Sequence, residues 1–118
     1  MSDIWSYPET VGRLDVTGFR VEARDGDIGK VDETLHEAEG AGFIVVDTGA
    51  WIFGKKVLLP AGVIERVDRD DEVVYVNRSK DEIEAAPEFD ADRRDDNAYR
   101  QEVGAHYAVS GGRGSPRE

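Results

Sequence analysis

The chain has 118 residues, the length of one ordinary domain, and its 15 Lys and Arg against 26 Asp and Glu leave a net charge of −11. That balance repels phosphate backbones and anionic lipid heads, which argues against binding to nucleic acid or a membrane surface through bulk charge. The lack of cysteine excludes disulfide scaffolds, thiol catalysis and thiolate metal sites.

Residues 1–17 mix Trp5, Tyr7 and Pro8 with polar residues and read as an irregular lead-in. Phe19, Val21 and Ala23 then alternate with polar neighbours, as a half-buried strand requires. Asp25-Gly26 follows, a pair that tolerates the positive φ of a hairpin turn. The return strand runs from Ile28 to about Glu37 with Val31 and Leu35 on one face; Ile28 is out of phase with them, and Gly29 beside it predicts a bulge. Gly40 and Gly42 mark the next turn. Phe43-Ile44-Val45-Val46 is apolar on both faces and predicts a central strand packed on each side.

After Thr48-Gly49 comes Ala50-Trp51-Ile52-Phe53-Gly54, a connection bounded by glycines, then Lys55 and Lys56. The short strand Val57-Leu58-Leu59 is stopped by Pro60, which has no N–H for a ladder. Ile64–Asp68 and Val73–Asn77 read as a hairpin around Arg69-Asp70-Asp71. Ser79 and Glu82 form the spacing of a capping box before a short helix that Pro87 stops. Tyr99, Val103 and Tyr107 recur every fourth residue and predict a second helix over about 96–108, which Gly104 weakens. The reading is mainly β: a small barrel of about six short strands over 18–90, a helical extension over 91–108, and a glycine-rich stretch over 109–118 that reads as a disordered tail. No run reaches the roughly 20 apolar residues of a membrane span, and no export signal is visible, so a cytoplasmic setting without membrane insertion is expected.

Chemistry has little purchase on this sequence. Asp68, Asp70, Asp71 and Glu72 could gather a hard cation, but they sit where a solvated hairpin tip is expected. Residues 90–102 fail as a calcium loop, because Arg94 takes a ligand position and Asp95 replaces the turn glycine. His36 is expected to face solvent from its strand and His106 to flank the tyrosine stripe, and neither has a second histidine at metal-ligand spacing. No phosphate loop or nucleophile elbow is present. The expectation is a protein without catalytic residues, cofactor or metal.

Surface contact remains. Trp51, Ile52 and Phe53 either plug one end of the barrel or form an apolar patch for a second copy or a partner, with Lys55 and Lys56 as a complementary rim. Tyr99, Val103 and Tyr107 pose the same choice, a helix docked on its own barrel or one that reaches a neighbour.

The run from Val21 through Gly26, Ile28-Gly29-Lys30-Val31-Asp32, Phe43-Ile44-Val45-Val46-Asp47-Thr48-Gly49, Gly54-Lys55-Lys56-Val57-Leu58-Leu59-Pro60 and Val73-Val74-Tyr75-Val76 resembles the PRC-barrel family. The likeness covers residues 13–90, with a weaker extension through Ala86-Pro87-Glu88-Phe89-Asp90 to about residue 108. It implies a barrel related to the cytoplasmic domain of the photosynthetic reaction centre H subunit and to the C-terminal domain of the ribosome maturation factor, in which the barrel assembles or docks rather than catalyses. It also implies structural roles for Asp25, Gly26 and Gly29 in the hairpin and bulge, for Asp47 and Gly49 at a strand end, and for Gly54 and Pro60 around the short strand. Neither a membrane helix like that of the H subunit nor an N-terminal domain like that of the ribosome factor is expected, and none of the H subunit's proton-coupling residues is carried over to this sequence. The expected function is therefore a homodimeric interaction module with an unidentified protein partner; the alternatives are an H-subunit-like component of photosynthetic electron transfer and a small-ligand or cation-binding barrel.

Overall fold

The computed structural model describes residues 4–49, 55–93 and 96–113. Six strands form one sheet: β1 (Arg20–Ala23), β2 (Gly26–His36), β3 (Gly42–Asp47), β4 (Lys56–Pro60), β5 (Ile64–Asp68) and β6 (Val73–Val76). Two helices follow, α1 (Lys80–Glu84) and α2 (Asn97–Arg113). The strand order is β4-β3-β2-β1-β6-β5, antiparallel throughout except for the parallel pair β1 and β6. The protein is mainly β, with the expected number of strands. The ladder does not close into a barrel: β4 and β5 are its two ends. Pro60 closes β4 opposite Phe43, and a one-turn 3₁₀ helix at Ala61–Val63 redirects the chain into β5.

The expected bulge is present. Val21 pairs with Gly29 but Glu22 pairs with Asp27, so Ile28 is the extra residue. The bulge turns Ile28 into the core together with Val31. Gly29 has φ 137, and a Cβ there would collide with the Asp47 carbonyl oxygen of the neighbouring strand. A second register shift makes Asp32 a further extra residue in the ladder with β3, a feature without a glycine to announce it. Asp25 has a role beyond its turn, since its carboxylate accepts from the Lys80 N–H (2.9 Å) and ties the hairpin to the start of α1.

β3 is buried on both faces, as expected of a central strand. Ile44 and Val46 pair with Leu59 and Val57 on one face, while Phe43 and Val45 pair with Pro60 and Leu58 on the other. The second face lies under Trp5, whose ring meets that of Phe43 edge-on at 6.3 Å, and under Arg100 of α2. All of this forms a single apolar cluster.

The segments flanking the sheet show more than the sequence indicated. The lead-in is irregular but not peripheral, because Tyr7, Val11 and Val16 are buried in the core. α2 continues past Ala108 to Arg113, through a stretch expected to be disordered; glycine weakens a helix by only about 1 kcal/mol per residue. Gly104 lies in the middle of α2 because Trp5 sits on it: a Cβ there would stand 2.9 Å from the indole Nε1.

Candidate interaction surface

The segment expected to carry surface contact begins at the end of β3. The Asp47 carboxylate accepts from the Gly49 N–H (2.9 Å), and Gly49 takes φ 58, which together turn the chain out of the sheet. Thr48 is buried, and both its N–H (3.4 Å) and its hydroxyl (2.7 Å) donate to the Lys55 carbonyl. The two ends of the connection are thus pinned to one another. Trp51, Ile52, Phe53 and Gly54 lie outside the described residues.

Lys55 and Lys56 are exposed, but each already has a partner. The Lys55 ammonium lies 3.4 Å from Glu88 and that of Lys56 lies 2.9 Å from Asp32. The Asp32 carboxylate holds the Lys56 ammonium above the usual lysine range. Pairs this exposed are worth little to stability, so either can be exchanged for a partner's carboxylate at small cost.

One cross-strand row is charged on every strand but β6, where buried Val73 interrupts it. Pairing runs from Asp68 on β5 through Val73, Arg20, Lys30 and Asp47 to Lys56 on β4, a row that crosses all six strands. Arg20 stands directly opposite Lys30, and Glu22 compensates through an ion pair with Arg20 at 3.0 Å that raises the guanidinium pKa. Beside this row an open cavity of about 440 Å³ is lined by residues 27–30 and 47–49 together with Arg20. It mixes two cations with two carboxylates, and those of Asp27 and Asp47 are turned back onto the N–H groups of Gly29 and Gly49.

For Tyr99, Val103 and Tyr107 the structure shows the first of the two readings, a helix docked on the chain's own sheet. All three are buried in the chain's own core, at 1% exposure or less, because their fourfold spacing forms the face of α2 that packs on the sheet. Burial pushes the Tyr99 hydroxyl up to about 12 and that of Tyr107 higher still. His106 flanks the stripe as expected, edge-on to Tyr107 at 4.9 Å, with Nε2 2.7 Å from the Glu82 carbonyl. His36 is only partly open to solvent: its ring lies 4.5 Å from that of Tyr7 and Nε2 is 3.0 Å from the Leu14 carbonyl, since the lead-in folds across β2.

The acidic hairpin tip is a built turn. The Asp68 carboxylate accepts from the N–H groups of Asp70 and Asp71, both at 3.0 Å. Among the described residues no group of three potential ligands is placed to hold a metal.

Two arginines with structural roles gave no signal in the sequence. Arg78 is buried, and its guanidinium donates to the Tyr107 carbonyl (2.8 Å) and to Asn77, which locks α2 to the end of β6. Desolvation lowers its pKa. Arg100 grips Glu37 through two bonds (3.1 and 2.7 Å) while lying 4.8 Å from the centre of the Trp5 ring. Neither obeys a period or a motif, because their partners come from distant parts of the chain.

No protein-family model matches the chain, and no curated protein matches it. No helix among the described residues is long and apolar enough to cross a membrane.

Proposed function

We propose that the chain is a non-enzymatic interaction module of the PRC-barrel kind, a cytoplasmic homodimer that docks through the sheet edge formed by β4 and the connection leading into it. The observation that carries this reading is the position of β4. It is an end strand with a ladder on one side only, its side chains Val57, Leu58 and Leu59 anchor it in the core, and Trp51, Ile52 and Phe53 shortly precede it in sequence. Tryptophan and phenylalanine are favoured anchors, and Lys55 and Lys56 lie on the adjoining rim. The six short strands and the likeness of residues 13–90 support the family assignment. Support for a non-catalytic role comes from where proton equilibria are most displaced: Tyr7, Tyr99, Tyr107 and Arg78 are buried groups that pack or anchor.

Sedimentation velocity over a concentration series tests the proposal. The expected result is a dimer that Trp51→Ala weakens by about 30-fold, the effect of losing an anchor worth ~2 kcal/mol. A monomer at micromolar concentration, with every association unchanged by the substitution, overturns it.

A further inference from the structure

The segment Ile4–Tyr7 is bound to the rest of the chain as a peptide is bound in a groove. It belongs to no named strand, yet the Gly42 N–H donates to the Trp5 carbonyl (2.8 Å), the Tyr7 N–H to the Gly40 carbonyl (2.9 Å) and the Gly62 N–H to the Ile4 carbonyl (2.7 Å). Ser6 forms an isolated antiparallel bridge with Ala41. Main-chain bonds of this kind hold an added strand irrespective of its side chains.

Two aromatic residues supply the specificity. The Trp5 indole meets Phe43 edge-on, has the Arg100 guanidinium 4.8 Å from its centre, and rests on Gly104, where a side chain would leave no room for it. Tyr7 lies over Gly42 and donates its hydroxyl to the carbonyls of Leu35 (2.8 Å) and Phe43 (3.1 Å). The bed of the groove is small: Gly40, Ala41, Gly42, Gly62 and Gly104. At Gly104 the missing side chain is explained by the occupant alone; at Gly42 a Cβ would meet both the Tyr7 ring and the Leu35 carbonyl, and Gly40 serves the turn with φ 77.

We propose that this groove is a recognition site for an extended Trp-x-Tyr segment, filled in cis by residues 4–7 and open to the same segment from a second copy of the chain. The cis arrangement keeps the site occupied at high effective concentration, and exchange between copies grows as the protein is concentrated. The inference stands apart from the β4 reading, since Trp51 has no part in it.

The test is energy transfer between two labelled populations of the full chain. The chain has no cysteine, so Ser2→Cys carries the donor and Ala105→Cys, beside Gly104, carries the acceptor. On mixing, transfer between molecules should rise with concentration, fall at least tenfold in Gly104→Ala, and be abolished by excess synthetic peptide of residues 1–9. Trp51→Ala should leave it unchanged. Alanine favours the helix, so Gly104→Ala is expected to stay folded; if it does not, the peptide competition decides. Absence of transfer at every concentration, or transfer that survives both Gly104→Ala and the peptide, overturns the proposal.

Discussion

Gly29 and Gly104 show two different demands that a fold makes on a residue without a side chain. At Gly29 the backbone takes φ 137 and the chain passes against the Asp47 carbonyl, so a side chain is both strained and obstructed. Gly29→Ala should cost about 3 kcal/mol, combining a disfavoured φ with overpacking, and chemical denaturation should report it as a lower midpoint at unchanged slope. At Gly104 the backbone is ordinary helix and the missing methylene is space for an indole. The buried tyrosines make a prediction at the same scale. Burial raises the hydroxyls of Tyr7, Tyr99 and Tyr107 above their ordinary 10.0, and for Tyr7 the carboxylates of Glu37 and Asp15 add to the effect. Above pH 10 the unfolded chain therefore gives up protons that the folded chain retains, and stability falls as pH rises. Each tyrosine contributes a slope of up to ~1.4 kcal/mol per pH unit. Denaturation midpoints between pH 9 and 12 should show this decline, and Tyr7→Phe should flatten it.

Among the elements, α1 depends on its cap and on one anchor. Ser79 and Glu82 bond reciprocally, with the Glu82 N–H donating to the Ser79 hydroxyl (3.2 Å) and the Ser79 N–H to the Glu82 carboxylate (2.7 Å). Ile83 is the helix's buried residue. Ser79→Ala should cost about 1 kcal/mol and Ile83→Ala about 3 kcal/mol, measured by thermal or chemical unfolding. The start of α2 is capped by Asp96, whose carboxylate accepts from the Ala98 (2.8 Å) and Tyr99 (3.3 Å) N–H groups. Those bonds lower its pKa, so the stabilisation is present above the ordinary value of 3.8 and is lost as pH falls through the folded value. Asp96→Asn keeps an acceptor and should remove that part of the acid dependence. These local features were legible in the sequence because each is written within a few residues: the capping box, the Ile28 bulge beside its glycine, the fourfold stripe of α2. The Asp32 bulge and the docking of His36 on Tyr7 were not, since a bulge without glycine leaves no mark and a long-range stack has no spacing.

For the molecule as a whole, sequence periodicity identified which strands exist and which lie next to one another across a short turn. It could not reveal that β1 sits beside β6, because nothing in either strand names the other. The irregular lead-in was legible as such, but its partners were not, for a related reason. Trp5 and Tyr7 look like stray aromatics until Gly104, Arg100 and the Gly40–Gly42 turn are brought to them from distant parts of the chain. Trp5→Ala should therefore destabilise the whole domain by about 2 kcal/mol despite its place near the terminus, below the usual cost of truncating a fully buried tryptophan because its ring is only partly enclosed. Hydrogen exchange at the Gly42 and Gly62 amides, which donate to this segment, should accelerate in the same variant.

The parallel ladder between β1 and β6 also fixes a schedule for synthesis. Arg20 is paired with Val73 and Glu22 with Tyr75, so one flank of β1 waits for a strand made long after it. The hairpin of β1 and β2 emerges from the ribosome early, with β3 and β4 to extend it on one side only. Until β6 is translated, Val21 and its neighbours face solvent, and loop closure over that span makes the joining of β1 to β6 a slow, committing event. Nascent chains arrested before Val73 should therefore be protease-sensitive, and full protection should appear only once α2, whose Tyr99, Val103 and Tyr107 complete the core, has also emerged.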